Sequence, residues 1–447
     1  MIASKEVMAA HLAGMVRFPT VSYSDESQMN FEPFYAMHKY LEETYPLLHK
    51  TFKREIIGRA ALLYKWESPN KKEGKLPLLL GAHQDVVPEG DLNLWKYPPY
   101  AGQIADGFIW GRGSMDCKSL IMGEMEAIEA LIADGFVPDY DLYLAYGYNE
   151  EVGITTERPS AKLIIDTLIE RGVRIGVAMD EGGAIYPGSQ MGIDDLVANV
   201  GVAEKGYADY LIYKTDKGGH SAAPGKTCIM GDVAKAVAKL ADNPRPYRVI
   251  PEIARQYSIL APYVGDRKEI YENIAEHKDY LFPILDREPR TAAKFQTTMA
   301  LTMASGSAQA NVLPSKVSVR MNCRLLKGDT VESLLNEFRA LVGEESGVKV
   351  DLIAGRDPSP FSDIDCEEYR NLEKVLDEIY PGIKAIPSMC VGGTDSYFYY
   401  PGCEHVFRFS GEVRNPLNGP SHSANEKFQI ETIESVPNFF YHYLPRY

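Results

Sequence analysis

The residues best suited to metal chemistry begin with His83 and Asp85. Both follow a short apolar run at 78–80, which is too short for a helix and predicts a buried strand. Ligands of open α/β sheets bind beyond the carboxyl ends of such strands, where an imidazole can coordinate a metal. Asp85 is placed to hydrogen-bond the other ring nitrogen and so to orient His83. Alone the pair is weak evidence, because a histidine satisfied by a nearby carboxylate is common without a metal.

Four carboxylates and a histidine stand where other predicted elements begin or end. Asp116 lies in a glycine-punctuated loop, and Glu150 and Glu151 directly follow a predicted apolar strand. Neighbouring carboxylates at a buried strand end repel each other unless a cation or a proton offsets the repulsion. Asp180 ends the next predicted strand, and His422 precedes the last predicted helix. Each has an ordinary alternative, namely a solvated glutamate pair, a turn aspartate and a capping histidine.

Together these positions supply two histidines and three carboxylates, the ligand count for two divalent ions that share one carboxylate. Mixed imidazole and carboxylate ligation suits Zn²⁺, and less specifically Mn²⁺ or Co²⁺. Two ions ~3.5–4 Å apart can activate a bridging water and polarise a carbonyl group. Glu150, left without a metal, would then act as the general base.

The elements that must position these side chains alternate between strands and helices, which indicates an α/β fold with a mostly parallel sheet flanked by helices. Strands are predicted near 60–66, 78–82, 141–147, 175–179 and 404–409. Helices are predicted at 4–17, 32–44, 119–133, 161–171, 367–379 and 430–443.

The pattern changes after residue 203, where polar and apolar residues alternate as in a half-exposed antiparallel strand. Strands at 204–214 and 310–326, with helices at 229–240 and 331–342, indicate an α+β domain. We therefore predict a catalytic domain formed by residues 1–203 and 355–447, and an inserted domain at 204–354. The charged, helical stretch 250–296 carries no recognisable chemistry and is interpreted as a structural insertion.

The composition narrows the class of protein. The 447 residues carry a net charge of −15 without a basic cluster, which argues against nucleic acid or an anionic membrane surface as partner. Six scattered cysteines form no C-x-x-C motif and indicate reduced thiols. The N-terminal residues lack the apolar core of a signal peptide, and no apolar run reaches the ~18 residues of a membrane span. These features predict a cytoplasmic protein.

Several ordered motifs make the chain recognisable. They read AHQDVVP (82–88), DGFIWGRGSMDCK (106–118), EEVG (150–153), GVAEKG (201–206), GGHSAAP (218–224), GGTDS (392–396) and HSANE (422–426). Over nearly its whole length the chain resembles the di-zinc aminoacylase/carboxypeptidase family of metallopeptidases. Within that family it resembles most the branch of carboxypeptidase S (Gly-Xaa carboxypeptidase) and the N-fatty-acyl-amino-acid hydrolases.

The resemblance implies a role for individual residues of the metal site. His83, Asp116 and Asp180 would hold one metal, and Asp116, Glu151 and His422 would hold the other. Asp85 would orient His83. Glu150 would pass a proton from the metal-bridging water to the leaving nitrogen.

Four residues outside the metal ligands also match the family. The resemblance implies that His220, in the inserted domain, reaches the site of a partner subunit and stabilises the oxyanion. Asn311 and Arg324 would grip the carboxylate of the substrate, a task that suits an arginine fork. Asp395 would line the pocket. Without the resemblance, a surface loop for His220 and a salt bridge for Arg324 would be the preferred interpretations.

The expected activity is therefore hydrolysis of an amide bond next to a free α-carboxylate, in a dipeptide, at the C-terminus of a short peptide or in an N-acyl amino acid. The inserted domain is expected to act as a lid and to form a homodimer. Two alternatives remain open from the sequence, a non-catalytic peptide- or metal-binding protein and an aminopeptidase. Cys117 and Asn149 stand where many relatives have aspartate, which bears on specificity more than on hydrolysis.

Overall fold

The computed structural model describes residues 2–191, 193 and 195–447. The chain forms two compact units. The first comprises Met1–Val202, Phe361–Ser388 and Thr394–Tyr447, and the second comprises Ala203–Pro360 and Met389–Gly393. Among the helices in the described ranges, none has both the length and the apolar character needed to cross a membrane.

The helices are α1 (Lys5–Val16), α2 (Glu32–Thr44), α3 (Pro46–Thr51), α4 (Lys118–Ala133), α5 (Ser160–Glu170), α6 (Ile229–Ala241), α7 (Pro251–Leu260), α8 (Lys268–Glu272), α9 (Lys278–Leu285), α10 (Pro289–Ala292), α11 (Val331–Val342), α12 (Glu367–Ile379), α13 (Ser396–Tyr399) and α14 (Ser435–Tyr443). The strands are β1 (Lys53–Ile57), β2 (Ala61–Trp66), β3 (Leu78–His83), β4 (Gln103–Ala105), β5 (Phe108–Trp110), β6 (Leu142–Gly147), β7 (Ile175–Asp180), β8 (Ala184–Pro187), β9 (Leu196–Glu204), β10 (Gly206–Thr215), β11 (Gly219–His220), β12 (Thr298–Ser305), β13 (Val312–Leu313), β14 (Lys316–Leu325), β15 (Lys349–Arg356), β16 (Lys384–Cys390), β17 (Cys403–Arg408) and β18 (Lys427–Gln429).

A nine-stranded mixed sheet forms the centre of the first unit, in the order β1-β2-β6-β3-β7-β17-β9-β16 with β8 paired to β9. Its four central strands, β6, β3, β7 and β17, run parallel. The pairs β1/β2, β2/β6, β17/β9 and β8/β9 are antiparallel. The predicted α/β class, with parallel strands flanked by helices, is confirmed.

Strand β3 shows why a continuous apolar run predicts a central strand. Leu78 and Leu80 pack into a core that also contains residues of α1, α4, α12 and α14, whereas Leu79 points into a second core with residues of α5 and α13. Successive side chains of a strand point to opposite faces, so a strand covered by helices on both faces needs apolar residues throughout. This arrangement buries β3 and fixes where its last residue, His83, lies.

The second unit is built around a four-stranded antiparallel sheet in the order β12-β14-β10-β15. Helices α6 and α11 contribute Val233, Leu240, Leu334 and Phe338 to the core against this sheet. Helices α7 to α10 occupy 251–292, the stretch predicted to be helical. Strands β11 and β13 pair separately.

Some boundaries differ from those predicted. The single strand expected at 310–326 is two strands, β13 and β14, with Pro314 between them, because proline has no amide hydrogen for a sheet ladder. The last helix starts at Ser435 and not at residue 430, since Pro437 fits best within a first turn.

Residues 355–360 and 389–393 group with the second unit, whereas the sequence had placed both stretches in the catalytic domain. Backbone hydrogen bonds account for the difference. Ser359 donates its amide to the carbonyl of Glu204, and Lys205 donates its amide to the carbonyl of Cys390.

Candidate metal centre

His83 ends β3 with both ring nitrogens engaged. Nε2 lies 3.1 Å from Oδ1 of Asp116, and Nδ1 lies 2.9 Å from the backbone carbonyl oxygen of Asp85. The Asp85 carboxylate is farther from Nδ1, at 3.5 Å. The backbone carbonyl of Asp85 is thus the nearer acceptor, and the orienting role of the Asp85 side chain stays a prediction. With Nδ1 donating its proton to that carbonyl, Nε2 is the ring nitrogen directed at Asp116.

The Asp85 carboxylate has another task, which is to hold the loop that follows β6. It accepts hydrogen bonds from Ser22 Oγ at 2.6 Å, from the Glu150 amide at 3.1 Å and from the Glu151 amide at 3.1 Å. The side chain of Asp85 is fully buried. A buried carboxylate with three donors is a firm anchor. It fixes the backbone of the two glutamates relative to the end of β3.

Asp116 lies between two histidines. Its Oδ1 faces His83, and its Oδ2 lies 3.2 Å from Nε2 of His422, which in turn lies 2.9 Å from Oε2 of Glu151. Ligand atoms of His83, Asp116 and Glu151 all fall within 4.8 Å of one another. The structure thus brings together four of the five predicted metal ligands, and Asp116 occupies the bridging position.

Asp180, the fifth predicted ligand, forms two hydrogen bonds of its own. Its Oδ2 accepts a hydrogen bond from Ser396 Oγ at 2.9 Å and its Oδ1 accepts one from the Glu181 amide at 2.9 Å. The next residue, Glu181, places Oε1 3.5 Å from Nε2 of His83. Asp180 as a metal ligand stays a prediction, and Glu181 is a second candidate carboxylate that the sequence reasoning did not name. The adjacent acids at the end of β7 were the available signal.

The charged groups of the site shift one another's proton affinity. Burial raises the pKa of Glu150 well above its usual range, and the carboxylates of Glu181 and Asp395 add to the effect. Burial and the neighbouring Asp116 raise the pKa of Glu181 to about 7. Hydrogen bonds to Asp116 and Glu151 raise the pKa of His422 to about 10. The carboxylates and imidazoles of the site lie so close together that their charges must be balanced by protons or by a cation.

The residues present fit divalent metal ions. Oε1 of Glu151 is buried and has no hydrogen-bond partner within the described part of the chain. The donor atoms are imidazole nitrogens and carboxylate oxygens, which suit Zn²⁺ and also Mn²⁺ or Co²⁺. Cys117 contacts His83, since its Sγ accepts the His83 amide hydrogen at 3.2 Å. Together with His83 and Glu181 it forms a second group of atoms that could hold a metal.

Glu426 organises the loop that carries Asp116, a role the sequence did not reveal. Its Oε1 accepts the amide hydrogens of Gly113 and Met115 at 3.0 Å each and that of Asp116 at 3.2 Å. Its Oε2 accepts a hydrogen bond from Arg112 Nη1 at 2.7 Å, and both side chains of this ion pair are buried. Glu426 belongs to the HSANE motif, so one short segment supplies His422 and also the anchor of the opposite loop.

Asp395 is buried close to the end of β6. A Cβ atom on Gly147 would lie 2.5 Å from Oδ2 of Asp395, so this position requires glycine. Oδ2 is buried and has no hydrogen-bond partner in the described ranges. Burial raises the pKa of Asp395 well above its usual range, and Asp180 and Asp85 reinforce the shift.

The remaining predicted residues belong to the second unit. His220, on β11, is exposed and accepts the Ala222 amide hydrogen on Nδ1 at 3.0 Å. Asn311 is also exposed, and its carbonyl accepts the Ser221 amide hydrogen at 3.1 Å, which brings Asn311 next to His220. Arg324 lies on β14 with its guanidinium 4.8 Å from the ring centre of Tyr207.

Comparisons with known proteins identify the family. Residues 79–446 match the model of peptidase family M20/M25/M40. The chain is 30% identical to "Probable carboxypeptidase S-like 2" of Dictyostelium discoideum, over 97% of this chain and 84% of that protein. It is also 30% identical to "N-fatty-acyl-amino acid synthase/hydrolase PM20D1.1" of Danio rerio, over 95% of this chain and 83% of that protein.

The fold matches that of a solved member of the family. The M20 family metallo-carboxypeptidase Sso-CP2 from Sulfolobus solfataricus superposes with a TM-score of 0.72 at 16% identity, and the match covers 98% of both chains. The family predicted from the motifs is thereby confirmed. The chain belongs to peptidase family M20/M25/M40 and is a metal-dependent amide hydrolase.

Proposed function

We propose that the protein hydrolyses an amide bond next to a free α-carboxylate, in a dipeptide, at the C-terminus of a short peptide or in an N-acyl amino acid. The observation that carries the proposal is the convergence of His83, Asp116, Glu151 and His422 beside Glu150, whose amide is fixed by the Asp85 carboxylate. Metal ligands next to a buried carboxylate that is not itself a ligand are the arrangement of metal-assisted hydrolysis.

Two divalent cations belong to this proposal, namely Zn²⁺, with Mn²⁺ or Co²⁺ as substitutes. His83, Asp116 and Glu181 would hold one, and Asp116, Glu151 and His422 would hold the other. Glu181 here takes the place first given to Asp180, because its carboxylate faces His83. When bound, such ions polarise the scissile carbonyl and acidify the attacking water.

Glu150 carries the proton in this proposal. Its carboxylate accepts a proton from the attacking water and then delivers that proton to the leaving nitrogen. A general base works best when its pKa lies near the working pH, and burial raises the pKa of Glu150 toward that range. Asp85 supports the step by holding the Glu150 amide at 3.1 Å.

Arg324 supports the choice of a substrate with a free carboxylate. Its guanidinium stacks on Tyr207 at 4.8 Å, and it makes no ion pair among the described residues. A preoriented arginine fork binds a carboxylate through two parallel hydrogen bonds. We assign Asn311 to the same carboxylate and Asp395 to the pocket wall. An aminopeptidase would instead require an acidic group for the free amine of its substrate.

A matched pair of substrates tests the proposal. The protein should hydrolyse dipeptides or N-acyl amino acids with a free C-terminal carboxylate, and C-terminal amidation should abolish the activity. Prolonged chelation should remove the activity and added Zn²⁺ or Mn²⁺ should restore it. Equal rates on the acid and its amide would favour an aminopeptidase, and activity that survives complete metal removal would end the proposal.

We further propose that the second unit acts as a lid and dimerisation domain, with His220 acting on the site of a partner subunit. The edge strand β12 supports this proposal, because it leaves Leu301 and Met303 exposed, and such an edge can pair across a two-fold axis. Mixing inactive Glu150→Gln and His220→Ala proteins should restore activity once subunits exchange. No recovery after verified exchange would reject action in trans.

A cytoplasmic location is also part of the proposal. Within the described residues no cysteine forms a disulfide bond, and a reducing compartment maintains cysteines in that state. Fractionation of cells that produce the protein would test it, with recovery in a secreted or organellar fraction as the contrary result.

A further inference from the structure

Three potential metal ligands of the first unit lie outside the site described above. Cys366 is the N-cap of α12, Glu368 lies in the first turn of that helix, and His405 lies on β17. Ligand atoms of the three residues all fall within 4.8 Å of one another. The cluster shares no residue with the hydrolytic site, and the proposed function does not use it.

The separation of His405 and Glu368 suits ligands around an ion better than hydrogen-bond partners. Nε2 of His405 lies 3.9 Å from Oε2 of Glu368, beyond hydrogen-bond distance. Tetrahedral zinc with bonds of about 2.0–2.3 Å places its ligand atoms roughly 3.3–3.8 Å apart. A shift of a few tenths of an ångström would therefore convert this contact into a pair of zinc ligands.

The imidazole of His405 has a nitrogen lone pair that can coordinate a metal. Its Nδ1 is buried and has no hydrogen-bond partner in the described ranges, while Nε2 faces the carboxylate of Glu368. Buried polar nitrogens are nearly always paired, so this orphan nitrogen needs an explanation. The ring lies parallel to Phe407 at 6.0 Å between centroids. Because neither ring nitrogen of His405 forms a hydrogen bond in the described ranges, the ring can rotate to coordinate a cation.

The thiol of Cys366 is positioned by its own helix. Its Sγ accepts the Tyr369 amide hydrogen at 3.4 Å and lies 3.3 Å from the Asp363 carbonyl oxygen, to which the thiol donates. Burial raises the pKa of Cys366 to about 11, so the group is a neutral thiol at pH 7. A metal would displace that proton to solvent, because the thiolate is the form that binds zinc.

We propose that Cys366, Glu368 and His405 form a separate site for one Zn²⁺, with water as the fourth ligand. A thiolate and a carboxylate together neutralise the charge of the ion, and a mixed sulfur, nitrogen and oxygen set is typical of zinc. The ion would fasten the start of α12 to β17. Such an ion would join two elements of the first unit.

Cobalt spectroscopy on the full-length protein tests the site. After metal removal, titration with Co²⁺ should produce a thiolate-to-cobalt charge-transfer band in the near ultraviolet. Cys366→Ser should abolish that band and bind one metal equivalent fewer, yet hydrolyse amides at the wild-type rate. Serine is itself a good N-cap, so this variant should keep α12 folded.

Cys403→Ser is the matched control, because Cys403 lies on the same strand as His405, two residues away. It should keep both the band and the metal content of the wild-type protein, whereas His405→Gln should lose both. A band as intense in Cys366→Ser as in the wild-type protein, or a metal content equal in all variants, would overturn the proposal, whereas a weaker residual band would come from Cys117 in the hydrolytic site. If the wild-type protein shows the cobalt band but hydrolyses no amide, the proposed function is wrong and the separate zinc site stands.

Discussion

Replacing Glu426 by glutamine should weaken both the fold of the first unit and its hold on metal. The carboxylate accepts four hydrogen bonds, one from the guanidinium of Arg112 and three from amides of the loop that ends at Asp116. Glutamine keeps the shape and one acceptor oxygen. Its amide group, however, would turn two N–H donors toward the N–H donors of Arg112, and the buried guanidinium would lose its counter-charge.

The magnitude follows from the burial of this ion pair. The Arg112 side chain is 2% exposed and that of Glu426 is 0% exposed. Removing one partner of such a pair costs about 3–5 kcal/mol. Burial raises the pKa of Glu426, so the cost of taking its charge out of water offsets part of the stabilisation. We therefore expect the low end of the range, about 3 kcal/mol, and metal affinity lowered about 10- to 100-fold because Asp116 loses its support.

Urea unfolding followed by tryptophan fluorescence gives the free energy of unfolding. The three tryptophans, Trp66, Trp95 and Trp110, all lie in the first unit, so the signal reports on that unit alone. Glu434→Gln is the control, because Glu434 is 56% exposed in its ion pair with Lys5 and its loss should stay within about 0.5 kcal/mol.

One result would refute the reasoning about Glu426. Such a result would be a Glu426→Gln variant that is as stable as Glu434→Gln and binds metal with wild-type affinity. The free-energy cost of burying the Glu426 charge would then equal the whole stabilisation by its hydrogen bonds. The Asp116 loop would then be held by its own packing, and Glu426 would not be a positioning residue.

Three further predictions concern the hydrolytic site. Glu150→Gln should keep its metal and lose about 10²–10⁴ in turnover, measured at saturating substrate, and unchanged turnover would remove Glu150 as general base. Glu181→Gln should bind one metal less tightly in a zinc titration whereas Asp180→Asn should not, and the reverse order would restore Asp180 as the ligand. Metal binding at pH 8 should release protons, because the pKa of His422 is raised to about 10 in the metal-free protein and the imidazole must be neutral to coordinate. The apparent affinity should therefore rise with pH up to about 10, and calorimetry in buffers of different ionisation enthalpy measures the release, with a buffer-independent heat as the contrary result.

The sequence predicted the parts of the site that depend on local patterns. A continuous apolar run before His83 indicated a central strand because such a strand is covered on both faces. The paired acids at 150–151 stood out because their repulsion needs compensation. These signals depend on neighbours within a few residues along the chain, which is the range over which sequence patterns are informative.

The contacts of Asp180 and Glu181 are ones that no local pattern contains. Consecutive residues at a strand end point in different directions, and Asp180 is held by Ser396, 216 residues away. Glu426 escaped notice for the same reason, since its partner Asp116 is 310 residues away. In both cases the partner of the acid is far away along the chain, and only the tertiary fold brings the two together.

The late position of Glu426 has a consequence for the synthesis of the protein. A ribosome that adds about 5–20 residues per second needs about 15–60 s to make the 310 residues between Asp116 and Glu426. During this time the emerging chain carries His83, Asp116 and Glu151 but lacks His422 and the anchor of the Asp116 loop. Chains that terminate early therefore cannot assemble the complete metal centre. Finished molecules would retain metal, and prematurely released ones would not.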